Sequence, residues 1–235
     1  KAANGPSNFA WGDFSVSFSG NSVWRNPIIG TGGLIKDGGG TLTLTENPSY
    51  SGMTKVLAGG LSLRTGLGNS HSRSGGLSIS PGATVWASGG IHGDVTNEGN
   101  YFSGISSIFG DFTQTSTGNL GVWLSSSITT ISGKVQLDGQ LSILGAFGNG
   151  YVAPNVQTLL VAGGGIYGTF SRLRAAPNVF LDATLAYSQS SVSLEIKRLN
   201  IANAVAGMSL STSTQVSAER VESAMSAIDG QLGGG

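Results

Sequence analysis

Two aspartates in matching contexts are the residues of this sequence that are best placed for acid–base chemistry. Gly93-Asp94-Val95 recurs as Gly110-Asp111-Phe112, 17 residues later. On neighbouring coils of a stacked fold the two carboxylates would lie about 5 Å apart, close enough to act as a pair in polysaccharide cleavage. Gly-Asp is also an ordinary turn sequence, in which the carboxylate accepts backbone N–H groups. We favour the turn interpretation and rank polysaccharide cleavage last among the hypotheses for function.

Other catalytic signals are weak. His71 and His92 are the two histidines, and neither lies in a motif with a nucleophile, so we interpret both as turn residues. Gly163 to Gly168 matches the dinucleotide-binding pattern Gly-x-Gly-x-x-Gly, but the following residues do not open a helix, which indicates a glycine-rich loop. We therefore predict no catalytic, cofactor-binding or metal-binding residues, no cofactor, and no enzymatic activity in this segment.

The aromatic content and the charge of the chain limit the kinds of molecule that it could bind. Trp11, Trp24, Trp86 and Trp123 have rings that can stack on sugars, although we favour a packing role for them in the core or on the flank. Twelve basic residues balance twelve acidic ones, and the basic residues are scattered, so we expect no nucleic acid partner. The chain has no Cys, which excludes disulfides and thiolate metal sites.

The elements that must position these residues are short strands. Glycine is abundant, with 39 residues, and charged residues make up only 10% of the chain, which excludes an ordinary helical enzyme. Aliphatic residues alternate with small or polar ones in several glycine-flanked segments, as expected of half-buried strands. These segments are Gly40 to Leu44, Gly60 to Leu63, Gly76 to Ile79, Gly118 to Leu124, Gly139 to Ile143 and Ser193 to Ile196.

The spacing of the strands indicates a solenoid. Leu42 to Leu61 is 19 residues, Leu61 to Leu77 is 16, and Leu141 to Leu159 is 18, each close to the length of one coil. Recurrence with one-sided alternation favours parallel coils stacked along an axis over a series of hairpins. The prediction is an all-β fold, a right-handed parallel β-helix.

The two C-terminal segments break this pattern. Aromatic residues and prolines interrupt it between Gly145 and Phe180 and predict a hairpin or aromatic cap over the end of the solenoid; they are Tyr151, Pro154, Tyr167, Phe170, Pro177 and Phe180. After Arg198, a capping box at Thr212 to Gln215 precedes Val221, Ala224 or Met225, and Ile228 at helical spacing, with Gly230 after them. This predicts a short α-helical tail.

One run of residues points to a family. Gly30 to Asn47, with Tyr50-Ser51-Gly52 and Ala58-Gly59-Gly60-Leu61, closely resembles the passenger-associated repeat of autotransporters. Pro48 and Met53 depart from that repeat. Downstream, residues 120–198 resemble the autochaperone or junction region, and the arrangement is most like that of the subtilisin-type serine protease autotransporters of Gram-negative bacteria.

The resemblance implies a domain organisation. Residues 1–119 would be coils of the passenger stalk, 120–198 the autochaperone cap, and 199–235 a helical linker leading to a translocator barrel that this sequence lacks. It also implies type V secretion across the outer membrane and location at the cell surface or outside the cell.

The same resemblance implies a function. The segment would be a non-catalytic stalk and intramolecular chaperone, a monomer whose partners are its own barrel and an upstream effector, a serine protease. The alternative is an adhesin that binds host glycans or protein through the flank of the β-helix.

Overall fold

The computed structural model describes residues 7–8, 12–71, 74–104, 107–123, 128–144, 155–174, 181–206, 208–209 and 211–232. The predictions made for Trp11, Tyr151, Pro154, Pro177 and Phe180 lie outside the described residues.

Nearly all of the strands belong to parallel coils. The N-terminal half contains β1 (Ser7–Asn8), β2 (Phe14–Ser17), β3 (Ser22–Trp24), β4 (Ile28–Gly30), β5 (Leu34–Asp37), β6 (Thr41–Leu44), β7 (Ser49–Tyr50), β8 (Thr54–Val56), β9 (Gly60–Leu63), β10 (Leu77–Ile79), β11 (Thr84–Ala87), β12 (Val95–Asn97) and β13 (Asn100–Ser103). The C-terminal half contains β14 (Ser107–Ile108), β15 (Phe112–Gln114), β16 (Asn119–Trp123), β17 (Thr129–Ile131), β18 (Val135–Leu137), β19 (Gln140–Leu144), β20 (Asn155–Ala162), β21 (Ile166–Gly168), β22 (Arg172–Arg174), β23 (Leu181–Tyr187) and β24 (Ser191–Arg198).

The coils form three sides. Sheet 1 has eight parallel strands in the order β2-β5-β8-β10-β12-β15-β18-β21, and sheet 2 has eight in the order β3-β6-β9-β11-β13-β16-β19-β22. The third side runs through β1, β4 and β7, then through single bridges of Leu67 with Ile91 and of Ile91 with Ile108, and then through β14, β17 and β20. Each coil thus adds one strand to each long sheet. The predicted parallel β-helix is confirmed.

The core is a set of stacked columns. One column of sheet 2 consists of in-register residues that are almost fully buried, namely Leu42, Leu61, Val85, Tyr101, Leu120 and Leu141. Fully burying an aliphatic side chain is worth about 1.5–3 kcal/mol, so each coil is stabilised mainly by the coil on either side of it.

Two of the spacings used to predict the coil length join residues that do not stack on each other. Leu61 pairs with Val85 in sheet 2, whereas Leu77 lies in sheet 1 and pairs with Thr54 and Val95. Likewise, Leu141 pairs with Leu120 and Leu173, while Leu159 is a third-side residue. All three sides show the same alternation, so alternation alone does not identify the side.

A hairpin closes the C-terminal end of the third side. Strand β24 pairs antiparallel with both β20 and β23, and its Val192, Leu194 and Ile196 are buried. Ile166 N–H donates to Gln189 O at 2.8 Å, so the hairpin turn also reaches the start of β21. The predicted hairpin cap is confirmed. Among the aromatics proposed for the cap, Phe170 is buried, but Tyr167 is 52% exposed.

The tail contains two helices, α1 (Ile201–Ala206) and α2 (Thr212–Leu232). The capping prediction was off by one residue, because Ser211 Oγ accepts the N–H of Thr214. Gly230 does not end α2, which continues to Leu232. The backbone N–H of Ile201 donates to Glu222 Oε2 at 2.8 Å and ties the two helices together. Among the described residues, no helix is both long and apolar enough to span a membrane.

Candidate functional site

Asp94 and Asp111 do occupy equivalent positions on neighbouring coils, because Val95 and Phe112, which follow them, are paired in register. Their carboxylates are engaged by backbone. Asp94 Oδ1 accepts the N–H of Asp111 at 2.8 Å, and Asp111 Oδ1 accepts the N–H of Lys134 at 2.8 Å. These bonds match the predicted turn role, in which each aspartate fastens its own coil to the next one.

The two histidines contact neighbouring polar and aromatic side chains. The backbone N–H of His71 donates to Asn69 Oδ1, and its ring Nδ1 lies 3.1 Å from Ser70 Oγ. The ring of His92 stacks on Phe109, with centroids 4.2 Å apart and planes 12° apart. The described part of the chain contains no group of three His, Cys, Asp or Glu side chains able to hold a metal ion.

The glycine-rich segment from Gly163 to Gly168 lies in the connection between β20 and β21 and in β21 itself. Gly163 N–H donates to Ile131 O and Gly164 N–H to Gly133 O, both at 2.8 Å. Because a strand follows instead of a helix, the segment lacks the helix N-terminus that binds a pyrophosphate.

The repeat recognised in the sequence is built around an internal lysine. Lys36 lies on the same face of β5 as Leu34 and is fully buried. Its Nζ donates to the carbonyl oxygens of Asp37 at 2.7 Å, Gly38 at 2.8 Å and Ala58 at 3.2 Å. It also lies 4.8 Å from the ring centroid of Phe18. Burial lowers the pKa of Lys36, and the nearby charge of Asp37 opposes that shift.

The partners of Lys36 belong to three successive coils. Phe18 follows β2, Gly38 follows β5, and Ala58 follows β8, which are neighbouring strands of sheet 1. One ammonium group therefore satisfies turn carbonyls of two coils and contacts an aromatic ring of a third. Lys36 acts as a clamp between coils at the corner that joins sheet 1 to sheet 2.

Glycine is required at the same corner. Gly38 and Gly59 have φ of 75° and 67°, a conformation that other residues adopt only with strain. A Cβ atom on Gly59 would overlap the carbonyl oxygens of Gly38 and Gly40 on the coil below. The glycines thus let successive corners stack at the spacing of the strands.

The two residues that depart from the repeat, Pro48 and Met53, both take part in backbone bonds between coils. The carbonyl oxygen of Pro48 accepts the N–H of Gly68 at 2.8 Å, and that of Met53 accepts the N–H of Leu34 at 3.1 Å. Tyr50, between them, is buried, and its hydroxyl lies 2.6 Å from Thr54 Oγ1. Burial raises the pKa of Tyr50 above its ordinary range.

Sheet 1 also buries two amide side chains, Asn97 and Gln114, whose burial was not predicted from the sequence. Asn97 Nδ2 donates to Gln114 Oε1 at 2.9 Å, and Gln114 Nε2 donates to the carbonyl oxygens of Asp138 at 2.7 Å and Gln140 at 3.0 Å. Both side chains are buried. Their burial could have been predicted from the alternation of the strands. Asn97 follows the core residue Val95 by two positions, and Gln114 follows Phe112 by two, so both face inward.

Comparison with known proteins finds a family match for the segment around Lys36. A model of the passenger-associated-transport-repeat matches residues 34–63, the segment from β5 to β9 that holds Lys36 and Tyr50. With the parallel β-helix, this match makes the segment similar to a repeat found in autotransporter passengers.

Two relatives support the assignment. The chain is 48% identical over 67 residues to the Neisserial autotransporter lipoprotein NalP of Neisseria meningitidis serogroup B, covering 27% of this chain and 6% of that protein. It is 37% identical over 89 residues to the adhesin BmaC autotransporter of Brucella suis biovar 1, covering 38% of this chain and 2% of that protein. The chain thus spans only a small part of the length of these relatives. It is homologous to autotransporter passenger regions, which are exported across the outer membrane to the cell surface.

Proposed function

We propose that this chain is both the stalk and the intramolecular chaperone of an autotransporter passenger, presenting an N-terminal effector at the cell surface. The observation that carries the proposal is the hairpin of β23 and β24. It pairs antiparallel with β20 and buries Val192, Leu194 and Ile196, which closes the third side at the C-terminal end.

The contacts between coils support a directional role. A coil whose main stabilising partners are its neighbours folds more readily against an edge that is already formed. The aspartates and Lys36 add bonds of the same kind, since each reaches backbone groups of an adjacent coil. If the C-terminal end leaves the membrane first, the capped coils supply that edge, and coil-by-coil stacking opposes backsliding.

The parts outside this chain belong to the same proposal. The partners would be a C-terminal outer-membrane barrel and an upstream effector, with a subtilisin-like serine protease as the first candidate. The relative in Brucella suis is named an adhesin, so an adhesive passenger is the second candidate.

The test uses the full-length protein, with its barrel, displayed on a Gram-negative host. Deleting residues 120–198 should abolish the protease-resistant passenger at the cell surface. Deleting residues 34–53 is the matched control, because Leu34 pairs with Thr54 and the deletion removes a single coil in register. Surface display and protease resistance that survive the loss of residues 120–198 would contradict the proposal.

A pair of point variants tests the effect of the cap without changing the length of the chain. Leu194→Asp puts a charge in the buried face of β24, whereas Ala186→Asp changes an exposed residue of β23. We expect the first variant to reduce the amount of folded passenger at the surface several-fold and the second to leave it unchanged. Equal display of the two variants would show that the cap does not drive folding.

A further inference from the structure

The outward face of sheet 2 carries an aromatic platform, defined here as Trp86, Phe102 and Trp123. Trp86 and Phe102 are paired in register on β11 and β13, with ring centroids 6.0 Å apart and planes 31° apart. Trp123 leaves the same face of β16, two residues after Gly121, which pairs with Phe102. The side chain of Trp86 is 41% exposed, and that of Trp123 is 53% exposed.

Glycines hold two of these rings against the sheet. A Cβ atom on Gly60 would come within 2.7 Å of Trp86 Cζ3, and one on Gly121 would overlap the ring of Phe102. The rings therefore lie over neighbouring strands, and the platform spans β9, β11, β13 and β16, about 14 Å along the axis. Covering a glycine explains how the two rings pack against the sheet. It does not explain Trp123, which projects into solvent.

A row of amides runs beside the platform. Asn100, Asn119 and Gln140 occupy one register position on β13, β16 and β19, two residues before Phe102, Gly121 and Ser142. Asn119 Nδ2 donates to Asn100 Oδ1 at 3.2 Å, and Asn119 Oδ1 accepts Ser142 Oγ at 2.8 Å and Gln140 Nε2 at 3.4 Å. These bonds fix the amides at the spacing of the coils, and each side chain remains partly exposed at this face.

The charge of the face restricts the ligand. The outward residues from β6 to β19 on sheet 2 are all uncharged, and the first charged ones in register are Arg172 and Arg174 on β22. A nucleic acid or an acidic peptide needs a cationic surface, which is missing across the platform. A protein partner needs an interface of about 800 Å² on each side with an apolar core, whereas here the three rings are surrounded by glycine, amides and hydroxyls.

We propose that this face binds a neutral carbohydrate chain, with the rings of Trp86, Phe102 and Trp123 stacking on sugar rings and the amides of Asn100, Asn119 and Gln140 bonding to hydroxyls. Flat rings contact the apolar faces of sugars, while ordered amides supply both donors and acceptors. The orientation follows the rod, because the amide row and the pair of Trp86 and Phe102 both run along its axis. The proposal does not depend on a chaperone role.

The test applies the fluorescently labelled 235-residue chain to an array carrying neutral and sialylated oligosaccharides, followed by titration of the best ligand. We expect neutral oligosaccharides to be retained. Trp123→Ala should lower the affinity about tenfold, and Trp123→Phe should restore most of it. Because Trp123 is exposed, the melting temperature should not change in either variant.

Phe109→Ala is the matched control. Phe109 is also an exposed aromatic that lies over a glycine, Gly90, but it belongs to the third side of the solenoid. We expect it to bind like the unaltered chain. The proposal is overturned if no neutral oligosaccharide is retained, if only sialylated ones bind, or if Phe109→Ala loses as much affinity as Trp123→Ala.

Discussion

The two ends of the solenoid are built differently. At the C-terminal end, an antiparallel hairpin pairs with β20, and the inward residues of β24, Val192, Leu194 and Ile196, are almost fully buried. At the N-terminal end, the inward-facing Val16 of β2 and Trp24 of β3 are only half-buried. The comparison shows that inward side chains are more completely buried where the hairpin pairs with the last coil. We expect the capped end to be the more stable one, because among the described strands β2 pairs only with β5 and β3 only with β6.

The largest effect should follow from weakening the cap. Leu194→Ala should lower the free energy of unfolding by about 3 kcal/mol, since it removes a fully buried side chain and leaves a cavity. Val16→Ala, at a half-buried position, should cost less than about 1 kcal/mol. Urea unfolding of the two variants measures the difference, and equal losses would mean that the two ends are equally stable.

An intermediate effect is expected at the clamp near the N-terminal end. Lys36→Met keeps an apolar stem but leaves three carbonyl oxygens without their donor, which should cost about 2 kcal/mol. The matched control is Lys55→Met, on the neighbouring strand at a partly exposed position, and its cost should be below about 0.5 kcal/mol. If both substitutions are neutral in chemical denaturation, the internal bonds of Lys36 do not stabilise the repeat.

The smallest effect should appear at Tyr50 and should depend on pH. Tyr50→Phe removes the bond to Thr54 and should cost about 1 kcal/mol at neutral pH. Burial raises the pKa of Tyr50, so above about pH 10 the unfolded chain ionises its tyrosine while the folded chain does not. The unaltered protein is then destabilised, whereas the variant lacks this titration, and the gap between them should narrow as pH rises.

Thermal unfolding at pH 7 and pH 10.5 measures this gap. Tyr167→Phe is the control, at a position that is 52% exposed, and should change the unfolding free energy by less than about 0.5 kcal/mol at pH 7. A constant gap between Tyr50→Phe and the unaltered protein at the two pH values would argue against the proposed linkage.

Sequence reasoning recovered the strands, the parallel stacking and the hairpin, because alternation and glycine punctuation report local backbone geometry directly. It did not predict features that depend on contacts between residues distant in the sequence. Leu61 and Leu77 look equivalent in sequence but face the core from different sheets, since the segment between them turns a corner. Lys36 shares the phase of Leu34, yet its burial follows only from carbonyl oxygens supplied by two corners of the solenoid.

The candidate sites show the same division. The pairing of Asp94 with Asp111 across coils was predictable from their contexts, but the backbone groups that engage them are visible only in the fold. The aromatic platform could be suspected from Trp86 and Trp123, whereas the packing of two of its rings against the sheet depends on Gly60 and Gly121, which lie one coil away from the rings that cover them.

The antiparallel hairpin has a consequence for assembly. A stack of parallel coils has two unlike ends, and such ends are complementary, so unprotected rods would join head to tail as an open filament. Strand β24 runs against β20 and reverses the direction of the last pairing on the third side. On the third side, a second rod that approached this end would therefore meet the outer strand of the hairpin, β23, instead of β20. The hairpin thus withdraws the third side from head-to-tail stacking, while β21 and β22 remain the last strands of sheets 1 and 2.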